Sequence, residues 1–109
     1  MSRLKGDAAE ERAAAFLRKS GFRLIDRNVS SRFGEIDIIA TKDGVLHFVE
    51  VKSAPSFEQA AANVTPAKVR KIVMTAQSYM KKHRLDCDTS FDALIVVGES
   101  CELIENITL

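Results

Sequence analysis

Two strongly apolar runs, 36–40 and 45–51, flank Asp43-Gly44, and together they define the middle of the chain. Asp-Gly between such runs is the signal for a two-residue hairpin turn with positive φ at both positions. That turn pairs Lys42 with Val45 and, further up the strands, sets Asp37 opposite Glu50 and Glu35 opposite Lys52. Side chains alternate along a strand. Glu35, Asp37, Ile39 and Thr41 therefore share a face with Leu46, Phe48, Glu50 and Lys52, while Ile36, Ile38, Ala40, Val49 and Val51 form a core face.

Other elements follow from periodicity and punctuation. Residues 4–19 read as a helix whose apolar stripe includes Ala13, Ala14 and Phe16-Leu17, stopped by Ser20-Gly21. Glu10 lies on that inward stripe and needs a partner there; Glu11 projects away on the side of Arg18. A strand is predicted over 22–28, a connection over 28–33, and a mobile loop over 53–63. Thr65-Pro66 starts a second long helix, with Val69, Ile72, Val73, Ala76 and Met80 on its core face, ending near Lys82 or His83. Strands over 91–97 and 101–107 complete an α-β-β-β-α-β-β order, in which the long helix makes a parallel, right-handed crossover.

Composition changes this picture little. The 109 residues are 46% hydrophobic and 28% charged, as expected of one soluble domain spanning 1–109. No membrane span or signal-peptide core is read, so a cytoplasmic location is expected. Cys87 and Cys101 have no zinc spacing and are expected to be small buried residues.

Charge is more informative in its distribution than in its net value of +1. Between Pro66 and Leu85 stand Lys68, Arg70, Lys71, Lys81, Lys82 and Arg84 with no acid; from Asp86 onward there are acids and no Lys or Arg. The first 34 residues lean basic, Arg3, Lys5 and Arg12 among them. Such polarisation suits a polyanion on one side, with Lys68 and Lys71 the residues expected to touch it.

The chemistry narrows by elimination. There is no phosphate-binding glycine loop, no Gly-x-Ser-x-Gly elbow and no histidine pair at helical spacing. His47 reads as a strand residue and His83 as a helix-end residue. What remains is Asp37, Glu50, Lys52 and Glu10. Carboxylates opposed across a hairpin lie roughly 5 Å apart at Cβ and repel one another. A cation, a shared proton or the nearby lysine would relieve them. Hard oxygen donors suit Mg²⁺ or Mn²⁺, which can polarise a phosphodiester while Lys52 orients a water or offsets developing charge.

Gly34-Glu-Ile-Asp-Ile-Ile-Ala40 followed by Phe48-Val-Glu-Val-Lys-Ser53 closely resembles the YraN family of small bacterial proteins. That family looks like a member of the restriction-endonuclease-like PD-(D/E)xK nuclease superfamily, near the archaeal Holliday-junction resolvases. Supporting matches are Glu10, Ala13, Phe16-Leu17 and Gly21-Phe22 in the first helix and turn, Asn28 at the end of the first strand, Val64, Lys68, Ile72, Ala76 and Tyr79 in the second helix, and Phe91-Asp92. The resemblance implies an αβββαβ core, with a mixed central sheet flanked by helices. It also implies Asp37 and Glu50 as metal ligands, Glu10 as an additional acid and Lys52 as the catalytic lysine. Ala9, Ala54 and Glu58 depart from the family pattern, which commonly has glycine, arginine and glycine there.

The expectation is a Mg²⁺- or Mn²⁺-dependent nuclease acting on DNA in preference to RNA, on a structured or branched substrate. By analogy with the resolvases it would be a homodimer. The alternatives are a non-catalytic nucleic-acid-binding module of the same fold and, behind it, a protein-interaction domain.

Overall fold

The computed structural model describes residues 3–108, with side chains from Ala8 onward. The side chains of Arg3 and Lys5, part of the basic N-terminal set, lie outside the described residues. The elements are α1 (Arg3–Lys19), β1 (Arg23–Ser31), β2 (Gly34–Lys42), β3 (Val45–Ser53), α2 (Phe57–Ala62), α3 (Pro66–His83), β4 (Asp88–Val97) and β5 (Ser100–Ile104). They form a five-stranded mixed sheet in the order β1-β2-β3-β4-β5, with helices on its faces. The β3–β4 pair is parallel and the others are antiparallel. This is the expected αβββαβ core, with α2 added in the crossover and β5 at one edge.

The hairpin register is the one the Asp-Gly turn predicts. Asp43 and Gly44 take φ of 52° and 80°, and the strands pair from Lys42↔Val45 to Ile38↔Val49. Regular pairing stops there, one step short of Asp37 and Glu50.

The two faces are both covered. Ala9, Ala13, Ala14 and Leu17 of α1 pack on Ile38, Ala40, Val49, Leu94 and Val96. Ile72, Ala76 and Tyr79 of α3 pack on Ile39, Leu46, Phe48 and Ile36. Full burial of side chains such as Phe48 and Ile39 contributes roughly 1.5–3 kcal/mol each. Ile36 thus falls on the face opposite to the one simple alternation assigns it. The change coincides with an irregularity in the neighbouring strand: Asn28 of β1 has φ of 53° and lies between the pairs Arg27↔Ile38 and Val29↔Ile36. A left-handed residue inside a strand breaks the two-residue period, and asparagine tolerates it better than most residues.

Several other expectations need correcting. The first strand runs on through Asn28 to Ser31, where a connection was expected. The 53–63 segment holds the short helix α2, capped by Ser56, whose hydroxyl accepts the Gln59 amide at 3.2 Å. Ser-x-x-Gln is a capping-box pattern, and Ala60 anchors the helix against Ala93 and Ile95. β5 ends at Ile104 instead of 107. Cys87 is exposed, while Cys101 is half-buried. The start of α3 is as expected, with the Thr65 hydroxyl accepting the Lys68 amide at 3.3 Å and Pro66 in the first turn. Among the described residues no helix is long and apolar enough to cross a membrane.

Candidate metal centre

The irregular end of the hairpin opens into a cleft of about 1090 Å³ between α1 and the first turn of α3. Its walls include Glu10, Asp37, Glu50, Lys52 and Lys68, together with Glu35 and Arg12. All four residues expected to carry the chemistry are therefore brought to one place by three separate elements. Lys68 is there as well. Lys71 is not; its Cβ stands beside Gly34, 3.5 Å from where a side chain on that glycine would begin.

Each acid is held differently. Asp37 Oδ2 accepts the Val51 amide at 2.7 Å, which fixes the carboxylate across the hairpin where ladder pairing has ended. Burial pushes the Asp37 carboxyl up to about 6, and the charges of Glu10, Glu50 and Glu35 add to the rise, against the opposing effect of the Val51 hydrogen bond. Glu50 sends Oε1 to within 3.8 Å of Lys52 Nζ. Its other oxygen, Oε2, is buried without a hydrogen-bond partner among the described residues.

Glu10 is 5% exposed, as the inward stripe requires. Its partner is Arg27 of β1, whose Nη2 lies 3.7 Å from Glu10 Oε1, while Nη1 binds Glu11 at 2.8 Å. The hydrogen bond to Glu11 is the main reason the Arg27 guanidinium is held above its ordinary pKa, with burial opposing it and Glu10 helping. Glu10 Oε1 nonetheless makes no hydrogen bond. Arg27 was not among the sequence candidates. Nothing in spacing alone announces that an edge-strand arginine will meet the first helix.

The donor set fits a hard divalent cation. Buried carboxylate oxygens left without partners are costly, and a cation at Asp37 and Glu50 would satisfy the orphaned Glu50 Oε2. Among the described residues no three His, Cys, Asp or Glu side chains are gathered as a ready-made cage. Mg²⁺ commonly needs fewer, since it is held by one or two carboxylates and keeps several waters.

A second buried polar cluster lies toward the opposite, turn end of the sheet. His47 Nδ1 and Asp92 Oδ2 are 2.6 Å apart. Asp92 Oδ1 accepts the Ser90 hydroxyl at 2.5 Å and the Asn106 amide at 3.3 Å. His47 is thus more than a plain strand residue. The pairing depends on parallel β3–β4 register across 45 positions, which no local pattern reveals. His83 packs against Tyr79, with ring centroids 4.3 Å apart and the rings tilted by 42°.

Comparison with known proteins covers both the cleft and the frame that holds it. The uncharacterised protein family UPF0102 matches residues 9–96, a stretch that opens beside Glu10 and closes in β4. The UPF0102 protein of Sulfurimonas denitrificans is 51% identical over 109 residues, and that of Wolinella succinogenes 53%, each match spanning both chains completely. A UPF0102 protein of Helicobacter hepaticus is 50% identical over 108 residues, covering 99% of this chain and 97% of its own. With the matched stretch enclosing Glu10, Asp37, Glu50 and Lys52 and the likeness running from end to end, this chain belongs to the UPF0102 family, the YraN family that its hairpin motif resembles.

Proposed function

We propose that this protein is a metal-dependent nuclease that hydrolyses phosphodiester bonds in DNA, with Asp37 and Glu50 holding Mg²⁺ or Mn²⁺, Glu10 beside them and Lys52 as the catalytic lysine. The observation that carries this reading is the buried, unpartnered Oε2 of Glu50, in a cleft shared with Asp37 and Lys52. A hairpin built for stability alone gains nothing from an orphaned carboxylate oxygen beside a second carboxylate. The resemblance of Asp37, Glu50 and Lys52 to the PD-(D/E)xK pattern supports the same assignment.

When bound, the cation would supply Lewis-acid polarisation of the phosphate and acidify a water. The chain's own residues do the rest. Asp37 is oriented by the Val51 amide, so its free oxygen is presented to the cleft at low conformational cost. Lys52 has its ammonium near the carboxylate of Glu50, where it can orient an attacking water and offset negative charge as the phosphorane-like transition state forms. Glu10, loosely paired to Arg27, adds negative charge on the α1 side.

A cleavage screen tests the reading: linear, nicked, flapped and four-way DNA, each with Mg²⁺ or Mn²⁺, and Asp37→Asn as control. Cleavage of at least one substrate, lost in Asp37→Asn and in Lys52→Ala, is the expected result. Lys52→Ala should keep its affinity for metal and DNA. If metal binds and no substrate is cut, the chain is a nucleic-acid-binding module on the same frame. If neither ion binds and Asp37→Asn behaves as the wild type, the metal assignment fails.

A further inference from the structure

Beyond the cleft, a second groove of about 490 Å³ runs between β1 and the C-terminal half of α3, with Ser30, Ser31, Thr75, Ser78 and Lys82 among its walls. On α3 the positions 68, 71, 75, 78 and 82 recur at steps of three and four, so they form one stripe along the helix. The stripe starts at Lys68, in the acidic cleft, passes Lys71 beside Gly34, and ends at Lys82 in the groove. Lys68, Lys71 and Lys82 have exposed side chains, and no acidic partner is found for any of them among the described residues. Thr75 is buried and its hydroxyl is tied to Ser31 at 2.8 Å, which pins the middle of the stripe to β1. The groove's acid, Asp26, is engaged by the Tyr79 hydroxyl at 3.4 Å and by the Arg27 amide at 2.9 Å.

We infer that the α3–β1 groove is a backbone track for DNA that leads out of the acidic cleft, with Lys68, Lys71 and Lys82 meeting phosphates along its length and Ser78 donating a hydroxyl between Lys71 and Lys82. The inference rests on the nucleic-acid part of the function proposed above, and not on cleavage. Unneutralised lysines with the exposed Ser78 hydroxyl among them suit a phosphodiester backbone, which asks for charge and donors but not for base-edge recognition. At 1.5 Å per residue the stripe is about 21 Å long. That matches roughly six base pairs of duplex at 3.4 Å each. The remaining α3 lysine, Lys81, is turned about a hundred degrees from Lys82 and leaves the stripe. It is an internal control of equal charge on the same helix turn.

The test is fluorescence-anisotropy binding of a labelled duplex to Asp37→Asn protein, in chelator, over a series of salt concentrations. Added to that background, Lys82→Ala should weaken binding several-fold and make the log–log salt slope shallower by about one. Lys81→Ala should change neither. Replacing Lys68, Lys71 and Lys82 together should reduce the slope by about three. Equal effects of Lys81→Ala and Lys82→Ala would reduce the track to diffuse helix charge and overturn it, as would Lys82→Ala without effect or parent protein that does not bind DNA. Because every arm lacks metal, a protein that binds along the track but never cuts leaves the inference standing while the nuclease reading fails.

Discussion

Asp37 Oδ2 accepts the main-chain amide of Val51 at 2.7 Å, so a side chain takes up the donor just where regular β2–β3 pairing ends. The carboxylate is fixed and largely buried at once, and those two facts pull its proton affinity in opposite directions. Burial wins, and the carboxyl is pushed up to about 6 from 3.8.

This has a definite sign for stability. A carboxyl whose folded pKa is raised binds its proton more tightly when folded. Its favourable contribution is complete below about 3.8, is lost as pH rises through about 6, and stays lost above that. A shift of this size corresponds to at most about 3 kcal/mol. Asp37→Asn keeps an oxygen for the Val51 amide and removes the charge. In denaturant unfolding without metal, the variant should be more stable than the wild type above the window, and the gap should close below it. Parallel stability profiles for the two proteins would show that Asp37 does not titrate as its surroundings require.

Glu50 provides the complementary test of the metal site. Mg²⁺ or Mn²⁺ should raise the melting temperature of the wild type, since a ligand bound to the folded state alone stabilises it. Glu50→Gln should abolish most of that rise and weaken cation affinity at least about tenfold, or ~1.4 kcal/mol. In chelator the same variant should be no less stable than the wild type, because removing a buried charge beside Asp37 offsets the loss of the long, 3.8 Å pairing with Lys52. A full metal-induced rise in Glu50→Gln, followed by calorimetry, would move the ligand set elsewhere in the cleft.

The sequence made the hairpin readable because its two determinants are local: an Asp-Gly turn and alternating apolar residues. From them came the register between Ile38 and Lys42 and the gathering of Asp37, Glu50 and Lys52. Glu10 was legible too, since an acid on an apolar helix stripe must face something. The rest needed information that no local window holds. Ile36 changes face beside a left-handed residue on a neighbouring strand. Arg27 meets Glu10, and His47 meets Asp92, only once α1 packs and β4 docks. The helix α2 is a different case, for Ser56 and Gln59 did carry a capping signal within an alanine-rich stretch.

Asn28 gives that break in strand period a direct test. With φ at 53°, it occupies a region that asparagine and glycine enter readily and β-branched residues avoid. Asn28→Gly should leave the β1–β2 register intact and cost well under Asn28→Val, for which a penalty of about 1–2 kcal/mol is expected. Backbone chemical shifts supply the second readout: in Asn28→Val, the resonances of Ile36 and Asp37 should move most. If valine is accommodated with no loss of stability, the left-handed turn of β1 is not what sets the face of Ile36.

The buried His47–Asp92 contact at the turn end of the sheet answers a structural question about the C-terminal tail. Asp92 is fully buried and takes donors from His47, Ser90 and the Asn106 main chain, and the next amide, Ile107, donates to Phe91 O at 2.8 Å. One carboxylate therefore ties β3, β4 and the residues after β5 together. Removing it takes an acceptor from the buried His47 ring and Ser90 hydroxyl and from the Asn106 amide, and a buried donor left unsatisfied typically costs about 1–3 kcal/mol. Asp92→Ala should lose stability on that scale, and Asp92→Asn, which retains one oxygen for Ser90 and Asn106, should lose less. Hydrogen exchange separates this from a general loosening. In Asp92→Ala the Asn106 and Ile107 amides should exchange faster by a larger factor than the β2–β3 ladder amides. Uniform acceleration across all of them would mean that Asp92 supports the whole sheet and not the tail in particular.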